Sequence, residues 1–278
     1  MLKSYINNFI VWLVRIFNKL TNYDNSVIIL MYHSISDECD TSDTLARTVS
    51  KDLFRKQLQF IKKKGYNIIS LEKAVHGMIN KNIERNSICI TFDDGYEDNY
   101  TNAFPILSEL SVPATIFLVS SYITNAKDFE HLAKKSIFEK SMNISQITEM
   151  LAHKDIITFG SHTKTHKRLS DLPLDEAKSE LENGISELKE LGITPTLFAY
   201  PYGGRKEQNS EYIKILKNLG VIAAVSTTSG INKIDQDLFK LKRIHVSQND
   251  IEMKLFEKII GVYNLKLRIN RIVKKGHD

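Results

Sequence analysis

Ser87-Ile88-Cys89-Ile90-Thr91-Phe92-Asp93-Asp94-Gly95 is an apolar run that stops abruptly at two adjacent carboxylates and a glycine. A short run of apolar and β-branched residues without polar alternation reads as a strand buried on both faces, and Gly95 supplies the turn that ends it. Asp93 and Asp94 therefore stand at the carboxyl end of a core strand, where α/β folds place their chemistry. Two carboxylates so close repel each other unless a cation or a shared proton relieves them. That requirement directs attention to metal ligands elsewhere in the chain.

Ser161-His162-Thr163-Lys164-Thr165-His166 follows a second strand-like run, Ile156 to Gly160. Two imidazoles four residues apart converge on one ion when the segment between them turns tightly. One carboxylate then completes a three-ligand site with positions left for water. Such a site generates a hydroxide nucleophile near neutral pH and polarises a carbonyl. With Asp94 as the ligand, Asp93 is left as a base.

Thr91-Phe92-Asp93-Asp94-Gly95, His162-Thr163-x-x-His166 and Tyr200-Pro201-Tyr202-Gly203 resemble, in order, the first three signature motifs of the polysaccharide deacetylases, carbohydrate esterase family four. The resemblance runs from about Ile28 to Val246 and takes in Met31-Tyr32-His33, Pro113 to Phe117 and Leu241 to Ile244. It implies a single-domain distorted (β/α)7 barrel and hydrolysis of N-acetyl groups on amino sugars of a glycan or glycoconjugate. Asp93 would be the general base, and Asp94, His162 and His166 the ligands of Zn2+ or of Co2+, Ni2+ or Fe2+. Tyr202 would donate its backbone N–H to an oxyanion, with Pro201 beside it at the substrate. Met31-Tyr32-His33 resembles the permuted subgroup typified by poly-N-acetylglucosamine deacetylases, in which the first strand supplies the acid; His33 is that candidate and His245 its rival. The family's third motif carries an arginine two residues before the proline, and this chain has Ala199 there. Arg243, from the last strand, is the residue expected to supply the missing guanidinium to Asp93.

The 278 residues, 42% of them hydrophobic, suffice for one large core. Cys39 and Cys89 form no disulfide framework, which favours a reducing compartment. The net charge of +5 belongs to the ends: residues 1–20 carry three basic groups and no acid, and residues 263–278 carry five against one acid, leaving −2 for the body. That distribution argues against a nucleic-acid enzyme, which needs a basic stripe across its catalytic body, and suits an anionic membrane surface. Residues 1–22 read as an amphipathic helix lying in a membrane plane or packed on a core, residues 23–250 as the catalytic domain and 251–278 as a basic helical extension. The apolar stretch Phe9 to Val14 is too short to span a bilayer, and Arg15 interrupts any export signal. The expected location is cytoplasmic, peripheral on the inner membrane face.

Helices are expected at 52–64, from Ser70, and at 103–110, 144–153, 175–191 and 212–219. Strands are expected at 27–32, 113–120, 197–200, 221–226 and 239–246. Their alternation defines about seven parallel βα units. Gly184, inside the long helix, and residues 121–143 read as the loosest places. Two other readings use the same residues: an O-acetyl esterase or cyclic amidase, and a non-catalytic carbohydrate-binding protein, the latter prompted by Ala199.

Overall fold

The computed structural model describes residues 25–38, 47–124 and 140–261. In chain order the strands are β1 (Ser26–Tyr32), β2 (Ser34–Ile35), β3 (Thr48–Val49), β4 (Asn67–Ile68), β5 (Ser87–Phe92), β6 (Ala114–Leu118), β7 (Ile157–Ser161), β8 (Leu197–Ala199), β9 (Ala223–Val225), β10 (Asn232–Lys233) and β11 (Ile244–His245). The helices are α1 (Lys51–Lys63), α2 (Leu71–Ile79), α3 (Phe104–Glu109), α4 (Ser120–Thr124), α5 (Ile144–Leu151), α6 (Leu174–Glu190), α7 (Ser210–Asn218) and α8 (Glu252–Ile259). The expected amphipathic helix over residues 1–22, most of the 121–143 segment and the basic stretch from 262 lie outside the described residues. No helix among those described is long and apolar enough to cross a membrane.

The opening stretch is a strand buried along its whole length. It pairs in parallel with β1 from Val27↔Ser87 to Tyr32↔Phe92. Parallel pairing continues through β6, β7, β8 and β9. The run from Leu241 to His245 then bonds to both ends of this series, Leu241 bridging to Val225 of β9 and β11 pairing with Leu30 and Met31 of β1. These seven strands make the distorted (β/α)7 barrel. Alternate residues of β1 divide the core. Ile28, Leu30 and Tyr32 pack outward against helices, and Val27 and Ile29 join Cys89, Phe117, Val225 and Val75 of α2 in a second cluster.

Local chemistry sets the helix starts. Ser50 and Ser70 each accept a backbone N–H at the first turn of α1 and α2, and Asn143 with Gln146 forms a capping box for α5. One expectation needs correction. The 239–246 strand is reduced to β11, because the Asp237 side chain caps Phe239 and holds Leu238–Lys240 in a 3-10 turn, a local bond that competes with the sheet ladder. A π turn at Asn99–Ala103 leads into α3, which matches the expected 103–110 helix to within one residue at each end. α8 packs into the main core through Leu255, Phe256 and Ile259, with Phe256 edge-on to Phe60 of α1.

Gly184 is not a loose place. It is buried within an unbroken α6, and a Cβ there would stand 2.6 Å from Thr163 C and 2.7 Å from Lys164 N. The helix therefore lies directly against the backbone of the His162 to His166 loop. At an exposed helical site glycine to alanine gains about 1 kcal/mol. Here Gly184→Ala is expected to lose about 1–3 kcal/mol, as overpacked sites do, which urea denaturation would measure.

Candidate active site

Asp93 and Asp94 leave the end of β5 in different directions. The Asp93 N–H still donates to Tyr32 O at 3.1 Å, extending the strand ladder by one bond. Asp94 then turns into the left-handed region at φ 73°, followed by Gly95 at 70°. Thr163, His166 and Tyr202 share that conformation at 66°, 58° and 61°. Four of the seven non-glycine positive-φ residues described thus crowd one end of the barrel, as strained backbone at a working site does.

Asp93 is gripped by Arg243. Nη1 donates to Oδ1 at 2.6 Å and Nη2 to Oδ2 at 2.7 Å, a two-pronged charge-assisted contact. The guanidinium is fully buried. Its Nε donates to Ser226 O at 2.9 Å and its Cζ lies 5.7 Å from the Phe117 ring centre. The arginine absent at Ala199 is therefore supplied across the barrel. Burial alone would push the Asp93 carboxyl up; Arg243, with His162 and His33, outweighs it and holds the group below the ordinary aspartate range.

Asp94 faces the imidazoles. Its Oδ1 is 3.5 Å from His162 Nε2 and 3.3 Å from His166 Nε2, and the donor atoms of all three lie within 4.8 Å of one another. His162 Nδ1 donates to Ala199 O at 2.7 Å, which leaves the Nε2 lone pair facing Asp94. Asp94 Oδ1 is buried without a hydrogen-bond partner among the described residues. Ligands 2.0–2.2 Å from a tetrahedral metal stand about 3.3–3.6 Å apart, so this orphaned oxygen and its two nitrogen neighbours fit a divalent cation. Burial opposes ionisation of Asp94, but His166, His162 and His33 override it and hold its carboxyl far below the usual range.

His33, just past β1, is edge-on to His245 with ring centres 5.9 Å apart. Burial lowers the His33 pKa, while Asp94 and Asp93 pull it back up. His245 is lowered to about 4 by burial and then by His33 and Lys258; the nearby acid acting on it is Asp250. The two aspartates thus act on His33, and His245 stands edge-on to it. Asn99, fully buried, donates from Nδ2 to His33 O at 2.7 Å and to Asp98 Oδ1 at 2.9 Å, while Ser34 Oγ donates to the other Asp98 oxygen.

Tyr202 is 44% exposed. Its ring centre lies 5.1 Å from that of His166 and 4.1 Å from the Arg168 guanidinium carbon. These residues, with Thr165, Lys167 and Leu172, line a groove of about 430 Å3. Thr227 fixes the Tyr202 turn by donating from Oγ1 to Tyr202 O, and a Cβ on Gly203 would stand 2.3 Å from Thr227 N. Pro201, expected at the substrate, is buried; it shapes the turn and does not line the groove. Arg168, Asn99 and two buried glutamates, Glu180 and Glu207, were not singled out in the sequence. A glycine inside a charged helix was the one available signal, because it marks a close backbone approach four residues after Glu180.

The polysaccharide deacetylase family model matches residues 80–224, just over half of the chain, and the chain belongs to that family. The matched segment contains Asp93, Asp94, His162, His166 and Tyr202; His33 and Arg243 flank it. The Bacillus subtilis (strain 168) protein YxkH is 30% identical over 221 residues, 79% of this chain and 71% of the relative. The poly-beta-1,6-N-acetyl-D-glucosamine N-deacetylase of Staphylococcus epidermidis is 26% identical over 258 residues, 86% of each chain. Among solved structures, Streptococcus pyogenes deacetylase PplD in complex with acetate superposes with a TM-score of 0.70 at 26% identity, covering 84% of this chain and 98% of that one.

Two consequences are measurable. Arg243→Ala leaves the Asp93 carboxylate buried without its partner, so it should cost about 3–5 kcal/mol in chemical denaturation, and Arg243→Lys should recover only part of the loss because it cannot make the fork. Burial pushes Asp98 up to about 6, with bonds from Ser34, Ile35 and Asn99 pulling it down. Its protonated form is favoured in the folded state. The resulting stabilisation is complete below the ordinary carboxylate pKa and is lost as pH rises through about 6. Wild type minus Asp98→Asn stability should therefore fall between pH 4 and 7 in urea titrations.

Proposed function

We propose that this family member is an N-deacetylase of glycans built from N-acetylated amino sugars, of the poly-N-acetylglucosamine type, and that Zn2+ or another divalent metal such as Co2+ or Ni2+ serves it. The observation that carries the reading is the split environment of the aspartate pair: Arg243 on Asp93, two imidazoles on Asp94. Neighbouring carboxylates given different surroundings take different roles.

A metal held by Asp94, His162 and His166 would supply an activated water and polarise the acetamido carbonyl. Asp93, kept anionic and oriented by Arg243, accepts the proton released as water oxygen bonds to the acyl carbon. The Tyr202 N–H, at the groove edge, donates to the oxygen that gains charge. His33 delivers a proton to the departing nitrogen, the C–N bond breaks, and acetate and a free sugar amine result. The open groove beside His166, walled by Tyr202 with the Arg168 guanidinium over its ring, gives a sugar chain room to lie beside the site. Arg243 also weakens the non-catalytic alternative, since the guanidinium missing at Ala199 has a replacement.

The test is incubation of metal-loaded protein with N-acetylglucosamine oligomers and with O-acetylated glycans, with acetate and mass detection. Loss of acetyl from the amides, with the rate reduced at least about 100-fold in Asp93→Asn while its metal content is unchanged, is expected. Cleavage of esters alone would move the assignment to an esterase, and equal rates for wild type and Asp93→Asn would remove Asp93 as base.

A further inference from the structure

His166 sits on a loop between β7 and α6, at φ 58° in the left-handed region that few residues other than glycine occupy. Two buried carboxylates grip this loop in the same way on either side of that residue. Glu180 Oε2 accepts the Thr165 N–H at 2.8 Å and Oε1 accepts the Thr165 hydroxyl at 2.6 Å. Glu207 Oε2 accepts the Ser170 N–H at 2.9 Å and Oε1 accepts the Ser170 hydroxyl at 2.6 Å. Glu180 is 7% exposed and Glu207 1%.

Glutamate in mid-helix usually faces water, so the burial of Glu180 has a cost that these bonds offset. One turn on, Gly184 lets α6 approach the loop, and Lys164 N–H donates to Glu180 O at 3.2 Å. From the other side, the first residues of α4 bind the same backbone: Ser120 N–H donates to Thr163 O and Ser121 N–H to Lys164 O. Glu207 also lies 3.6 Å from Arg168, whose guanidinium covers the Tyr202 ring. The residue before His166 and the residue four after it are each fixed in both backbone and side chain. The backbone that carries the imidazole is thereby held on both sides.

We infer that Glu180 and Glu207 are positioning residues which hold His166 at its donor distance from Asp94, and that Glu180, bonded to the adjacent Thr165, is the stronger determinant of metal affinity. The inference rests on the three-residue metal site of the proposed function. Outer groups that orient ligands typically change metal affinity about 10- to 100-fold when removed.

Co2+ binding to the full chain, followed by its visible absorption spectrum and by chelator competition, is the test. Glu180→Ala should weaken Co2+ binding about 10- to 100-fold and alter the spectrum. Glu180→Gln, which can accept only one of the two Thr165 donors, and Thr165→Val should give smaller losses, and Glu207→Ala a loss below that of Glu180→Ala. Leu216→Ala, a core truncation in α7, controls for general loss of stability. Should Glu180→Ala not fold, Glu180→Gln and Thr165→Val carry the comparison. Unchanged affinity and spectrum in the Glu180 and Thr165 variants, or losses no larger than in Leu216→Ala, would overturn the inference while leaving the metal site standing. Failure of wild type to bind Co2+ at all would overturn the metal site itself, and the inference with it.

Discussion

The fork between Arg243 and Asp93 is the contact on which the rest of the molecule turns. Burying two charges costs several kcal/mol for each, and only close geometry with every remaining donor satisfied repays it. The close geometry is there: two short N–H···O bonds to Asp93, further bonds to Ser226 O and Thr91 Oγ1, and the Phe117 ring 5.7 Å from the guanidinium carbon. The pair joins the strand that begins the active site to the segment that closes the barrel. A structural requirement, closure, and a chemical one, a carboxylate kept anionic in a dry place, are thus met by one contact.

Around that pair the barrel's rim sorts its polar groups by what each neighbour can give. Asp93 receives only donors from an arginine that cannot lose its proton; Asp94 receives nitrogens that can turn lone pairs toward it. His162 is tuned through Ala199 O, so the position where the family's arginine is missing still contributes through its backbone. The left-handed turns at Asp94, His166 and Tyr202 aim these groups inward, and their strain is borne by the rigid strands and helix beneath.

Much of this was legible in the sequence because it is local. An unbroken apolar run ending in Asp93-Asp94-Gly95 specifies a buried strand with its chemistry at the tip, and Ser50, Ser70 and Asn143 mark helix starts by their own side chains. The ordered motifs indicated the barrel, and Arg243 was reachable by asking what could replace Ala199. The grip of Glu180 and Glu207, the Asn99 bond to His33 O and the cover of Arg168 over Tyr202 were not legible. Each joins residues whose proximity only the closed barrel creates, and a glutamate in a charged helix looks like any solvated one. The 3-10 turn at Leu238–Lys240 was missed for the opposite reason: a single cap at Asp237 overrode a strand-like composition.

The two partners of the fork are 150 residues apart in the chain. At the roughly 5–20 residues per second of ribosomal synthesis, Asp93 emerges many seconds before Arg243 exists to meet it. Until Arg243 is made that carboxylate has no guanidinium to meet, and the pairing of β11 with β1 cannot form. Closure therefore waits on the last strand, and the Asp93 carboxylate gains its partner only then.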